Sequence, residues 1–223
     1  MLERHRPALR SAARRIAATL VAALFVAQPG LAVAHPHVWI DASAILVVDA
    51  AQEVEAVKIV WQFDEFFSAF ALEELNADGN DEVTDAEKEA LAEQYIESLV
   101  EWHYMTELMV DDSYGIFGEA EAYAADIEDG IITLRFTLPL AEPVDAKAHD
   151  VALRMYDPTY YIAVEFAGNN AVTVEGSDAC TVTINRATPS LAPLSLGETT
   201  FTNTDQAMGI GIMFAETARL RCD

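Results

Sequence analysis

Two of the chain's five histidines stand one residue apart, in His35-Pro36-His37, and Ala32-Val33-Ala34 precedes them directly. The small-x-small form of that alanine segment is a signal-peptidase signature. Cleavage there makes His35 the first residue and frees an α-amine with a pKa of about 8, which a metal ion deprotonates at modest cost and chelates together with the imidazole of the same residue. In an extended chain the ring of His37 points to the same side as that of His35, as does Asp41 further along. Amine, two imidazoles and a carboxylate form a nitrogen-rich set suited to Zn2+, Ni2+, Co2+ or Cu2+, and poorly suited to Mg2+ or Ca2+. Pro36 excludes the square-planar chelate built from two backbone amides, because the second residue has no amide proton to lose. Asp64, His103 and His149 are the other side chains available to complete such a site. His103, between Trp102 and Tyr104, reads as a partly buried packing residue, and His149 as a loop residue. The competing reading of His35 and His37 is the polar end of a first strand.

A second set of metal-type residues runs from Asn76 to Glu87 and follows the twelve-residue calcium loop of an EF-hand. Oxygen ligands fall on Asn76, Asp78 and Asn80, a backbone carbonyl on Glu82, and the bidentate carboxylate on Glu87. Thr84 takes the ninth position. Two departures weaken the expected Ca2+ site. Asn76 replaces the usual first aspartate, and Asp81 replaces the glycine of the sixth position, where a left-handed turn costs a residue with a side chain about 1 kcal/mol. Thr84-Asp85-Ala86-Glu87 is also a capping box, which by itself accounts for Thr84 and Glu87 at the start of a helix. It leaves the alternation of Asn76, Asp78 and Asn80 unexplained. The expectation is a calcium loop, or the relic of one, that pins two helices.

The elements that must carry these residues begin after a leader. Arg4, Arg6, Arg10, Arg14 and Arg15 precede the apolar run from Ile16 to Ala27, too short to span a bilayer, so residues 1–34 read as a cleaved signal peptide and 35–223 as one periplasmic domain. The leader holds five of the 13 basic residues and one of the 37 acidic residues, which leaves 8 basic and 36 acidic side chains and a formal charge of −28. Such a field repels nucleic acid and anionic lipid and concentrates cations. The two cysteines, Cys180 and Cys222, form an even pair that an oxidising compartment most simply joins as a disulfide. A soft-metal dithiol is the alternative.

Period-two alternation marks strands. Val38, Ile40 and Ala42 share one face, as do Val57, Ile59, Trp61 and Phe63. Leu134, Phe136, Leu138 and Leu140 repeat the pattern, followed by Tyr160, Ile162, Val164 and Phe166, and by Cys180, Val182 and Ile184. Turn signals separate them at 49–52, 128–130, 157–158 and 168–170. From about 64 to 102 the period becomes helical, with Phe63, Phe66, Phe67 and Phe70 before the acidic loop and Leu91, Tyr95 and Leu99 after it. The expected fold is mainly β with inserted helices (α+β): an antiparallel β-sandwich-like domain carrying an EF-hand-like helical hairpin. A short helix is expected at about 205–213.

Taken together these landmarks resemble a bacterial family, domain of unknown function 1007, described as the periplasmic component of an uncharacterised transport system. The matching pieces are His35-Pro36-His37-Val38-Trp39-Ile40-Asp41, Trp61-Gln62-Phe63-Asp64-Glu65-Phe66-Phe67-Ser68, the acidic loop, Leu134 to Leu140, and Tyr156-Asp157-Pro158-Thr159-Tyr160-Tyr161. They cover nearly the whole of 35–223 in order. The resemblance implies partnership with a nickel/cobalt-type membrane permease, with zinc also implicated, and it assigns no metal-binding role to Asp64, Glu65 or Asp157.

The leading expectation is therefore a periplasmic carrier of Zn2+, Ni2+ or Co2+ without catalytic residues. A copper enzyme built on an amino-terminal histidine is one alternative, and its second imidazole would ordinarily come from a distant strand. A calcium-stabilised structural or adhesion module is the other. Ser68 and Ser190 lack a nearby histidine-and-acid grouping in sequence, so no hydrolytic nucleophile is expected.

Overall fold

The computed structural model describes residues 36–76, 79, 82–188 and 208–223. The segment expected to be a signal peptide, together with His35, Asp78, Asn80 and Ser190, lies outside the described residues. Strands β1 (Val38–Val48) and β2 (Glu53–Phe63) form an antiparallel hairpin, and helices α1 (Glu65–Leu75) and α2 (Asp85–Val100) follow. Strands β3 (Thr106–Val110), β4 (Ser113–Tyr114), β5 (Glu121–Glu128), β6 (Ile131–Asp145), β7 (Val151–Met155), β8 (Ile162–Phe166), β9 (Val172–Glu175), β10 (Cys180–Asn185) and β11 (Thr217–Cys222) complete the order. They make two sheets: β5-β6-β2-β1-β8, with β9 also on β1, and β10-β11-β7-β3-β4.

The alternation read from sequence decides which faces are buried. Val38, Ile40, Ala42, Leu46 and Val48 of β1 are buried, as are Val57, Ile59, Trp61 and Phe63 of β2 and Leu134, Phe136 and Leu138 of β6. They join Leu108, Leu153 and Leu220 of the other sheet in one core. Trp61 spans the two sheets by donating its Nε1–H to Met155 Sδ at 3.5 Å and meets Phe136 edge-on. Burying a side chain of this size stabilises by roughly 1.5–3 kcal/mol.

Pairing differs from the expected antiparallel plan at one edge. β8 and β9 both run parallel to β1, in registers such as Asp41↔Glu165 and Ile45↔Thr173. The sheet is therefore mixed. Asp129 (φ 51°) and Gly130 (φ 78°) form the tight turn between β5 and β6, as the Asp-Gly signal requires.

The helical segment is present as two helices, with a different apolar face from the one the phenylalanine spacing suggests. Phe67 stacks on Phe63 and meets Tyr95 of α2, whereas Phe66 and Phe70 are 85% and 61% exposed. The buried side of α1 is made by Ser68 and Ala71. Ser68 is fully buried, and its Oγ accepts from Ile132 N at 3.1 Å. It is a tie between α1 and β6. Of the helix expected at about 205–213, residues 205–207 lie outside the described residues, and 208–213 hold a 3-10 turn at Gly211–Met213.

After α2 the chain turns through His103, Tyr104 and Met105 at φ 51°, 55° and 47°. Left-handed backbone costs a non-glycine residue roughly 1–2 kcal/mol. The turn drives Tyr104 into the core and leaves His103 exposed, against the expectation of a packing histidine.

Candidate metal site at the start of the first strand

Three sequence stretches singled out separately meet at the amino-terminal end of β1. His37 N donates to Tyr161 O at 2.8 Å, and the two rings lie 4.8 Å apart. Two residues on, Trp39 N donates to Asp64 Oδ2 at 2.8 Å, while Asp64 N returns a bond to Trp39 O at 2.9 Å. Asp64 also caps α1, accepting from Phe66 N and Phe67 N at 2.9 and 3.0 Å. One carboxylate thus fixes the start of β1 and the start of α1 together.

The Tyr156–Tyr161 stretch is folded by Asp157. This buried carboxylate accepts from Thr159 N at 2.8 Å, from Thr159 Oγ1 at 2.9 Å and from Ile162 N at 2.9 Å. Tyr160 (φ 59°) stacks on Phe214 at 3.8 Å. Gly211 passes so close that a Cβ there would stand 1.8 Å from Asp157 O, so only glycine fits. Asp64 is committed to backbone donors, and Asp157 to backbone donors and the Thr159 hydroxyl. They position the segment around His37, a role the motif alone did not reveal. The sequence signal for it is their position just ahead of N–H groups that need acceptors.

His37, Trp39 and Asp41 occupy the exposed positions of the first part of this edge. Four residues of extended chain separate His37 from Asp41, about 13 Å. The fold therefore does not bring Asp41 to an ion held by His37. Asp41 instead shares its face with its register partners Glu165 and Gln62. His103 sits beyond α2, and His149 Nδ1 lies 2.7 Å from Asp111 Oδ2 in the loop before β7. Among the described residues no three His, Cys, Asp or Glu side chains gather as a metal group. Within that range His37 is the imidazole next to the segment that carries His35.

At the acidic loop the capping box is formed. Thr84 Oγ1 accepts from Glu87 N at 3.3 Å, and Glu87 Oε2 accepts from Thr84 N and Thr84 Oγ1, each at 2.7 Å. These bonds hold the Glu87 carboxyl below its ordinary pKa. Asn76 caps the end of α1, and its carbonyl accepts from Gly79 N at 2.9 Å. Glu82 is exposed ahead of α2.

Cys180 and Cys222 are joined as a disulfide and are register partners of β10 and β11. The bond ties the end of the chain to an earlier strand and suits an oxidising, extracytoplasmic compartment. No helix among the described residues is long and apolar enough to cross a membrane.

Two uncharacterised relatives and one family model match the chain. An "Uncharacterized protein" of Haemophilus influenzae (strain ATCC 51907 / DSM 11121 / KW20 / Rd) is 27% identical over 156 residues, covering 69% of this chain and 72% of the relative. The "Uncharacterized 15.5 kDa protein in trpE 3'region" of Spirochaeta aurantia is 30% identical over 115 residues, covering 51% of this chain and 81% of the relative. No solved structure matches. A family described as "Protein of unknown function (DUF1007)" matches residues 20–222, a span that takes in all three stretches around His37, and the chain belongs to that family.

Proposed function

We propose that this protein is an extracytoplasmic carrier of a divalent transition metal, Zn2+, Ni2+ or Co2+, which it holds at its processed amino terminus and exchanges with a nickel/cobalt-type membrane permease. The ligands in this reading are the α-amine and imidazole of His35 and the imidazole of His37. The observation that carries it is the double anchoring of the segment behind them, by Tyr161 O on His37 N and by Asp64 on Trp39. A short chelating end on a fixed base keeps its ligands in reach of one another without ordering a long loop on binding. The exposure of His37 suits a cargo that must be passed on, and the acidic field of the chain raises the local cation concentration.

The two sheets over one core are read here as a sandwich, and the α1–α2 hairpin as a weak Ca2+ loop or its relic. The permease partner rests on the family resemblance stated above. Titration of the oxidised protein with each ion, in excess calcium, tests the reading through His37→Ala. About one ion per chain and a loss of tenfold or more in affinity are expected, about 1.4 kcal/mol. Equal affinity of the variant for all three ions would remove His37 from the site.

A further inference from the structure

An imidazole at an exposed strand end ordinarily samples several rotamers, and a chelate uses one of them. At His37 a second ring narrows the choice. Tyr161 lies beside it, with ring centroids 4.8 Å apart and planes inclined by 39°, the spacing of a favourable aromatic pair. Backbone bonds fix this neighbourhood. Tyr161 O accepts from His37 N at 2.8 Å and from Val38 N at 3.4 Å, just ahead of the point where the parallel register opens at Val38↔Ile162.

Tyr161 is itself held in place. Its N–H donates to Thr159 Oγ1 at 3.3 Å, and Thr159 is tied to the buried Asp157. The preceding ring, Tyr160, stacks on Phe214 at 3.8 Å with the planes 11° apart. Pro158 O accepts from Gly209 N at 3.0 Å and from Gly211 N at 3.1 Å. The loop 157–161 is thus clamped by the segment 209–214, which gives Tyr161 a fixed place beside His37. The Tyr161 side chain is no part of the core, since the residue is 50% exposed. A ligand already ordered before the ion arrives loses less freedom on binding it.

From this we infer that Tyr161 is a positioning residue for the metal, its ring holding the His37 imidazole in the orientation that the amino-terminal chelate uses. This role rests on the metal reading above and adds to it a side chain that acts through His37. The test uses oxidised protein beginning at His35, as the parent, Tyr161→Ala and Tyr161→Phe, each titrated with Zn2+, Ni2+ and Co2+ in excess calcium. For the ion bound most tightly, loss of the ring is expected to weaken binding about threefold to tenfold. Tyr161→Phe, which keeps the ring, is expected to bind within about twofold of the parent. In the metal-free parent, proton NMR is expected to show nuclear Overhauser contacts between the His37 and Tyr161 rings, retained in Tyr161→Phe. A parent that binds none of the three ions would defeat the metal reading and the role of Tyr161 with it. A parent that binds an ion no better than the alanine variant does would leave the metal reading standing and overturn the role of Tyr161. A phenylalanine variant as weak as alanine, or a metal-free parent without the ring contacts, would overturn it too. The ring contacts decide on the unaltered protein if the alanine variant does not fold.

Discussion

Trp39 and Asp64, 25 residues apart, exchange two hydrogen bonds: Trp39 N to Asp64 Oδ2 at 2.8 Å and Asp64 N to Trp39 O at 2.9 Å. The same carboxylate caps α1 through Phe66 N and Phe67 N. The first strand and the first helix therefore share one anchor, two residues after His37.

Asp64→Ala removes a helix cap and a strand acceptor together, each worth about 1 kcal/mol. Urea unfolding is expected to show a loss of about 2 kcal/mol. Asp64→Asn, which keeps one side-chain oxygen, is expected to lose less. An alanine variant within about 0.5 kcal/mol of the parent, the usual scale of a neutral surface change, would show that the anchor contributes little.

Ser68 is buried and accepts from Ile132 N. Ser68→Ala leaves that N–H without its partner, so the same unfolding assay is expected to register a loss of about 1–3 kcal/mol. Hydrogen exchange at Ile132 gives a local check: its protection should fall more than that of Leu134.

The Cys180–Cys222 bond closes a loop with a sequence separation of 42. Reduction, or the Cys180→Ser/Cys222→Ser pair, is expected to lower stability by roughly 3–4 kcal/mol. Because β11 lies between β10 and β7, protection of Ala218 and Leu220 should drop first. A reduced protein with an unchanged denaturation midpoint would contradict this.

Glu87 has its carboxyl lowered first by the side chain of Thr84 and then by the Thr84 backbone N–H. A carboxyl depressed in the folded state stabilises above its unfolded pKa, and that contribution is lost as pH falls through the lower folded value. The start of α2 should therefore stay intact at pH 5 and loosen only below about 4, the ordinary range of a free glutamate. A carbon-13 titration of the Glu87 carboxyl should give a midpoint below the ordinary glutamate value, and Thr84→Ala should raise it toward that value.

Much of this architecture can be traced to particular residues. Alternation located β1, β2, β6 and the Cys180–Asn185 strand because one face of each is buried, and Asp129-Gly130 announced its turn. β5 escaped because of its eight residues only Ala125 is buried, so no alternation marks it. The parallel pairing of β8 and β9 with β1 depends on the path of the chain after β7, which no local pattern encodes. Phe66 and Phe70 misdirect a reading by hydrophobicity, since α1 turns small residues inward. His37 stands out in the sequence by its type and place, whereas its backbone bond to Tyr161 does not. The distance between His37 and Asp41 became evident only with the strand drawn out. The roles of Asp64 and Asp157 depend on partners distant in sequence or folded around them.

The proposed site needs a free amino terminus at His35, so one added glycine tests it. Protein beginning at His35 is compared with protein carrying one extra glycine ahead of it, both titrated with Zn2+, Ni2+ and Co2+ in excess calcium. The authentic terminus is expected to bind one ion tightly and to release it as the pH is lowered, because the amine and imidazoles must shed protons to bind. The extended form is expected to bind at least tenfold more weakly. Equal affinities for the two forms would contradict it, because neither the amine of His35 nor its position would then matter to the metal.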